Sequence, residues 1–330
     1  MRPTLIAILA AGGCALGATG GTGGTLSLQI ENDRIARTDR HYTAGERLFY
    51  VSDENDIPAW VRRLGRLVPF LADADGTRVG FTLGHSIFTP EDTDARTLVR
   101  EDRPYAGWLY GGVALLWEER GASGRLSTLD TVELDVGVVG PAALGREIQN
   151  GYHDLIDVPR SLGWRHQLDN EPGVLLSYER KWRTWPKTSA FWLEFDATPH
   201  AGGSIGNVMT HVAGGLSLRF GERLADDYGP PRIRPSLPGS VFFATTPDFD
   251  WYVFAGTEVR YVVRDIFLDG NTFTDSHSVE RKPVVGDVQL GVTMIYRAVR
   301  ISYTHVFRSD EFDGQRGANR FGSVSLSVNF

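Results

Sequence analysis

Twelve stretches of the chain alternate between apolar and polar residues. They run over residues 26–33, 42–52, 77–88, 105–117, 126–139, 173–182, 190–198, 205–219, 250–264, 285–296, 298–307 and 320–330. A period of two puts every second side chain on the same face of a β-strand. Val132, Leu134, Val136 and Val138 oppose Glu133 and Asp135; Val208, Val212, Leu216 and Leu218 oppose His211, Ser217 and Arg219; Trp251, Val253, Val259, Tyr261 and Val263 oppose Glu258 and Arg260. Each strand therefore has one oily face and one wet face. An even number of such strands can close on itself with both ends at one rim. The pattern predicts an all-β fold, a single antiparallel transmembrane β-barrel of about 12 strands with apolar residues facing lipid and polar residues facing the lumen.

The two ends of the chain agree with that expectation. In the last segment Val324, Leu326, Val328 and Phe330 share one face, against Ser323, Ser325, Ser327 and Asn329, and the sequence ends on the aromatic residue. A terminal Phe on an amphipathic strand resembles the insertion signal of Gram-negative outer-membrane barrels. At the other end, Arg2, the apolar run Leu5 to Ala11 and a stretch of small residues read as a signal peptide over residues 1–18, leaving a barrel over 25–330. Cys14, the only cysteine, is expected to leave with the signal, because Ala11 stands where a lipoprotein motif wants an aliphatic residue. No run approaches the roughly 18 apolar residues that a membrane-spanning helix needs. A formal charge of −7 argues against nucleic acid as a partner. Nothing in the sequence calls for a second chain, so a monomer is expected.

Connections carry the candidate chemistry. Counting strands from an end at the periplasmic rim, the odd-numbered strands lead into loops on the extracellular side. That parity gathers Glu31-Asn32-Asp33, His41 to Gly45, Thr89 to Asp92, Asp102 to Gly107 and Gly140 to His153 on one rim. Within 140–172, Leu144, Ile148, Tyr152 and Ile156 recur every four residues, which predicts a short helix over 143–157 in an extracellular loop. A second short amphipathic helix is expected over 58–71, around Trp60, Leu64 and Leu67. Read singly, these residues have plainer explanations: Asn and Asp close turns for backbone reasons, and His153 could be a packing residue. Arg34, Arg37, Arg40, Arg96, Arg100 and Arg103 form a basic rim suited to anionic sugar phosphates. No Gly-x-Ser-x-Gly elbow suggests a serine nucleophile.

Taken together, Asn32-Asp33, Tyr42-Thr43-Ala44-Gly45, and Gly140-Pro141 through Gln149-Asn150 to His153 resemble the lipid A 3'-O-deacylase family of outer-membrane enzymes. The order and strand positions match across essentially the whole mature chain. The resemblance implies a twelve-stranded barrel, lipid A or lipopolysaccharide as partner, and calcium-dependent removal of the 3'-linked acyloxyacyl group. By the same resemblance His153 is the general base, Asn32, Asp33 and Thr43 are active-site residues, and Asp33 is a calcium ligand. Arg96, Arg103 and Gln149 are assigned to substrate binding. An imidazole suits proton abstraction near neutral pH, and oxygen donors suit Ca2+.

Two family positions differ. The family's active-site lysine has no counterpart in 89–103, where Arg96 or Arg100 could supply the charge. The family's catalytic glutamate, six residues after the histidine, is replaced by Pro159, leaving Asp157 or Glu171 as substitutes. The rival readings are a phospholipid acyl hydrolase and a non-catalytic barrel that binds lipopolysaccharide or acts as a channel.

Overall fold

The computed structural model describes residues 23–33, 41–54, 58, 76–120, 126–184, 187–188, 193–224, 228–229 and 242–330. The expected signal peptide and Cys14 lie outside the described residues, as does the expected helix over 58–71 apart from Pro58. Twelve long strands are present: β1 (Thr25–Asn32), β2 (His41–Val51), β3 (Arg78–Thr89), β4 (Ala106–Arg120), β5 (Leu126–Val139), β6 (Glu171–Thr184), β7 (Glu194–Gly206), β8 (Met209–Gly221), β9 (Phe249–Asp265), β10 (Val284–Tyr296), β11 (Val299–Arg308) and β12 (Asn319–Asn329). Each pairs antiparallel with its sequence neighbours. β1 pairs with β12 from Thr25↔Asn329 to Asn32↔Gly322, and β6 pairs with β7 from Leu175↔Gly206 to Lys181↔His200, so the sheet is closed. The first and last strands begin and end at one rim, here called the termini rim; the opposite one is the helix rim. No helix among the described residues is long and apolar enough to cross a membrane.

One boundary differs from the sequence expectation. Residues 199–204 fall between the seventh and eighth alternating segments; they are strand, and the turn falls at Asn207–Val208. The glycines there serve close approach: a Cβ on Gly202 would lie 2.3 Å from the Tyr178 carbonyl oxygen. Asn207 fixes the real turn, its Oδ1 accepting from Val174 N at 2.8 Å and its Nδ2 donating to Glu171 Oε1 at 2.8 Å. Val208, expected on the oily face, is buried in the interior beside this turn.

The alternation sorts the side chains as expected. Leu26, Ile30, Val324 and Leu326 are exposed on the outer wall, while Ser27, Gln29, Ser323, Ser325 and Ser327 are buried inside. Opposite charges neutralise one another in the lumen. Arg47 Nη2 donates to Glu133 Oε1 at 2.7 Å, Arg308 Nε to Asp287 Oδ1 at 2.9 Å, and Arg219 pairs with Asp196. At the helix rim an apolar cluster closes the lumen, with Tyr42, Phe88, Trp108, Phe267 and Phe321 packed together and Phe88 stacked on Phe267 at 3.9 Å. Phe267 comes from a single-turn helix, Ile266–Asp269. At the termini rim the connection after β8 folds inward. Tyr228 OH donates to Ser127 Oγ at 2.8 Å, and Leu224 and Phe243 pack against Tyr252 and Phe254. Among the described residues the lumen is filled by these ion pairs, with packed side chains toward both ends.

Candidate active site

The loop between β5 and β6 lies against the outside of the barrel. It opens with a 3-10 turn (Pro141–Ala143), passes through Leu144 at φ 60°, and forms helix α1 (Gly145–Leu155). The helix is shorter than the expected 143–157 because the left-handed residues Leu144 and Asp157 bracket it. Along β3, Phe81 and Leu83 are exposed on the outer wall, and three further steps of period two place His85, Ile87 and Thr89 on the same face. There His85 and Ile87 become buried, because the loop covers them. His85 Nε2 lies 2.8 Å from the Ala143 carbonyl, and Ile87 packs with Tyr105 and Trp164. Gly107 of β4 makes this seat possible. A Cβ there would stand 3.1 Å from Ala143 Cβ and 3.2 Å from Gly145 N.

Helix α1 is oriented with its polar side inward. Gln149 and His153 are only 4 % and 5 % exposed against the barrel, whereas Leu144, Ile148, Tyr152, Leu155 and Ile156 face outward, Leu155 with 62 % of its surface open. In a water-soluble protein this would be a costly arrangement. On the wall of a membrane barrel the apolar stripe continues the lipid-facing surface.

His153 is held by its own loop. Its Nδ1 lies 2.7 Å from the Pro159 carbonyl oxygen, which can only accept, so Nδ1 carries the proton and the neutral ring keeps its lone pair on Nε2. Pro159 has no side-chain carboxylate, yet its backbone oxygen orients the imidazole. Asp157 is exposed, and Glu171 accepts from Thr272 N at 2.7 Å and from Asn207, far from this bond. Neither expected substitute makes the Nδ1 contact. The segment carrying the carbonyl is tied down on both sides. Ser161 N donates to Asn150 Oδ1 at 3.0 Å, Val158 N to His153 O at 3.0 Å, and Arg160 Nε to Asp154 Oδ1 at 2.7 Å. The Arg160 bond holds the Asp154 carboxyl below its usual range.

Gln149, one turn before His153, accepts at Oε1 from Trp164 Nε1 at 2.8 Å, and its buried Nε2 has no hydrogen-bond partner among the described residues. Two N–H donors are thus fixed in a covered site and available. Trp164 itself is clamped between Gly145 and Tyr105, at 4.9 Å from the Tyr105 ring, and burial raises the Tyr105 phenol above its ordinary value.

The other expected site residues converge from the strand ends. Asn32 ends β1 opposite Ala44, on the same face as the exposed Ile30. Asp33 follows and is fully buried. Thr43 is the extra residue at a register shift between Tyr42 and Ala44, and its Oγ1 lies 2.7 Å from Thr89 Oγ1 at the end of β3. A bulge re-aims the side chain it carries, and here it turns a hydroxyl onto the outer wall. Asn32, Asp33, Thr43 and Thr89 thus stand at the ends of adjacent strands beside the wall that α1 covers, with Thr43 and Thr89 in contact. These donors are all oxygens, the set a hard cation takes. Among the described residues no three His, Cys, Asp or Glu side chains form a metal cage, so a cation here would rely on neutral oxygens besides Asp33.

The two arginines separate. Arg96 is exposed on the loop before β4, its carbonyl accepting from Arg165 Nη2 at 2.5 Å. Arg103, expected to bind substrate, is 1 % exposed. Its guanidinium lies 5.0 Å from the centre of the Phe88 ring and 3.5 Å from Glu311 Oε2, inside the closure of the lumen. It lies there because Phe88, next to Thr89, points inward and offers a ring face to a cation. Sequence reasoning missed His85 and Trp164; both hold the helix. The period of two in β3 placed His85 on the outward face, which was a usable signal.

A family model described as outer membrane protein LpxR matches residues 4–330. The chain belongs to the LpxR family. That membership supports an outer-membrane lipid A deacylase. The solved structure of LpxR from Salmonella typhimurium is 20 % identical, covers 93 % of this chain and 100 % of its own, and superposes with a TM-score of 0.72. The fold is therefore shared over the whole barrel. The β domain of the Bordetella autotransporter Brka is 10 % identical, with 94 % of this chain and 100 % of that chain covered, at a TM-score of 0.48. No curated protein sequence matches.

Proposed function

We propose that this LpxR-family protein hydrolyses the ester that links the 3' acyloxyacyl group to lipid A, with His153 as general base. The observation that carries the reading is the Nδ1 bond from His153 to the Pro159 carbonyl, which leaves Nε2 as a proton acceptor in a covered site beside oriented N–H donors. A water molecule on Nε2 gives up its proton as its oxygen attacks the ester carbonyl carbon. The tetrahedral oxyanion accepts hydrogen bonds from Gln149 Nε2. Collapse breaks the bond to the sugar oxygen, and the imidazolium returns its proton to that leaving oxygen. The products are a lipid A with a free 3' hydroxyl and an acyloxyacyl carboxylic acid, its secondary ester intact.

Calcium, held through Asp33 with Asn32 and Thr43 oxygens, would polarise the carbonyl and stabilise the oxyanion when bound. Arg96 supplies positive charge at the open edge for a sugar phosphate. The outward apolar stripe of α1 favours a substrate that arrives sideways from the lipid, its acyl chains never leaving an oily environment. Because lipid A occupies the outward leaflet, the reading places the helix rim at the cell exterior.

The test is mass spectrometry of lipid A from cells expressing wild type or His153→Ala, with calcium and with chelator. A 3'-linked acyloxyacyl loss that needs both His153 and calcium is the expected result. Intact lipid A in wild-type cells under every condition would sink the proposal; loss of fatty acid from phospholipid instead would reassign the substrate.

A further inference from the structure

Lower on the outer wall, toward the termini rim, strands β4 to β8 form a groove of about 1200 Å³. It is larger than the roughly 300–1,000 Å³ of ordinary small-molecule pockets. A cross-strand row explains it. Trp117, Asp130, Arg180, Ala201 and Gly214 stand opposite one another in register across five strands, all on the outward face. In the next row Tyr178 faces Gly203, and Gly203 faces Val212. Beyond the large side chains of β6, the wall is therefore bare at Ala201, Gly203 and Gly214.

The upper edge of this trough is polar where a lipid-facing wall ordinarily is not. Asp130 is fully buried, accepting from Tyr178 OH at 2.6 Å, from Arg180 Nε at 2.7 Å and from Arg180 Nη2 at 3.0 Å. A carboxylate on this face is costly alone, and Arg180 neutralises it with one edge of its guanidinium. Arg180 nevertheless lines the groove, and its side chain keeps 39 % of its surface exposed. Glu119, exposed and on the same face two residues after Trp117, lines the groove as well and acts electrostatically on Arg180. The groove thus presents a partly exposed guanidinium, an acidic side chain and an apolar trough. Trp117 and Trp182 add the aromatic edge that sits at headgroup depth.

We infer that this groove binds a glycerophospholipid whose headgroup carries both a phosphate and a primary ammonium. The acyl chain lies over Ala201 and Gly203, the phosphate on Arg180 and the ammonium against Glu119. An anionic headgroup without the ammonium would set a second negative charge against Glu119 with nothing to offset it. The site stands apart from helix α1 and does not depend on the hydrolytic reading.

The experiment is native mass spectrometry of the full protein released from detergent micelles doped with phosphatidylethanolamine or phosphatidylglycerol. Wild type should retain the ethanolamine lipid at least tenfold better. Ala201→Trp, which fills the trough and removes no charge, should lose that retention. Glu119→Gln should bind both lipids equally. Equal retention of the two lipids by wild type, unchanged retention in Ala201→Trp, or an unchanged preference in Glu119→Gln each overturns the assignment. An unchanged heat-dependent gel shift measured alongside reports that the variant barrels are folded.

Discussion

At the scale of single residues, the most consequential substitution in this chain is the proline at 159. A carboxylate six residues after the histidine is the expected partner for an imidazole base, and its absence looks like a loss of function in the sequence. The backbone offers an acceptor in its place, the Pro159 carbonyl 2.7 Å from His153 Nδ1. A carbonyl oxygen accepts from Nδ1 as a carboxylate does, without a negative charge to desolvate. Pro159→Ala should therefore leave activity close to wild type, because the carbonyl remains. Asn150→Ala should lower kcat, because Asn150 holds the segment that carries that carbonyl; a parallel loss in both variants would show that the proline ring, not its oxygen, matters. His153→Ala should cost about 10²–10⁴ in rate, and Gln149→Ala about 10², the usual effect of removing an oxyanion donor. Steady-state kinetics on purified lipopolysaccharide in detergent would separate these from binding effects. The Asp154–Arg160 clamp behaves predictably with pH: with the carboxyl held below its usual range, the clamp is in place at neutral pH and is lost only as pH falls through that lowered value.

At the scale of elements, helix α1 shows what periodicity can and cannot say. The recurrence of Leu144, Ile148, Tyr152 and Ile156 announced an amphipathic helix, and one forms. In a water-soluble protein the apolar stripe would pack inward, yet here the buried positions are Gln149 and His153. Periodicity reports that two faces differ, and the solvent on each side decides which faces in. Leu155→Lys together with Ile148→Lys should preserve the barrel, read as an unchanged heat-dependent gel shift, and reduce deacylation in membranes far more than in detergent micelles. Equal losses in both settings would argue that the stripe does not contact lipid. The seat of the helix is equally specific. Gly107→Val puts a side chain where Ala143 and Gly145 stand, and displacing α1 by a few tenths of an ångström should lower activity about tenfold with little effect on barrel stability.

Across the whole molecule, closure and charge pairing make the barrel rigid enough to hold a site on its outside. The lumen is a core built from ion pairs, and breaking one leaves a buried charge alone. Glu133→Ala strips Arg47 of its partner and Thr82 of its acceptor. It should destabilise the barrel by about 3–5 kcal/mol, visible as a lower thermal midpoint in detergent, with catalysis per folded molecule unchanged. The filled lumen also bears on the channel alternative: reconstituted protein should show no steady ion conductance.

The twelve strands, their wet and oily faces and the two groups of rim residues were legible from the sequence alone, because a period of two is a local property and a membrane enforces it on every strand. Asn32, Asp33, Thr43, Gln149 and His153 were recognisable by type and order. Where the fold sets them depended on features with no local signature: a bulge at Thr43, a left-handed Leu144 that starts the helix, and a glycine that lets the helix sit on the wall. Arg103 was placed at the rim by its neighbours in sequence, and only packing against Phe88 drew it into the closure of the lumen. The acceptor for His153 could not be read from residue types at all. Every residue has a carbonyl, and which one an imidazole meets is decided where the chain returns on itself.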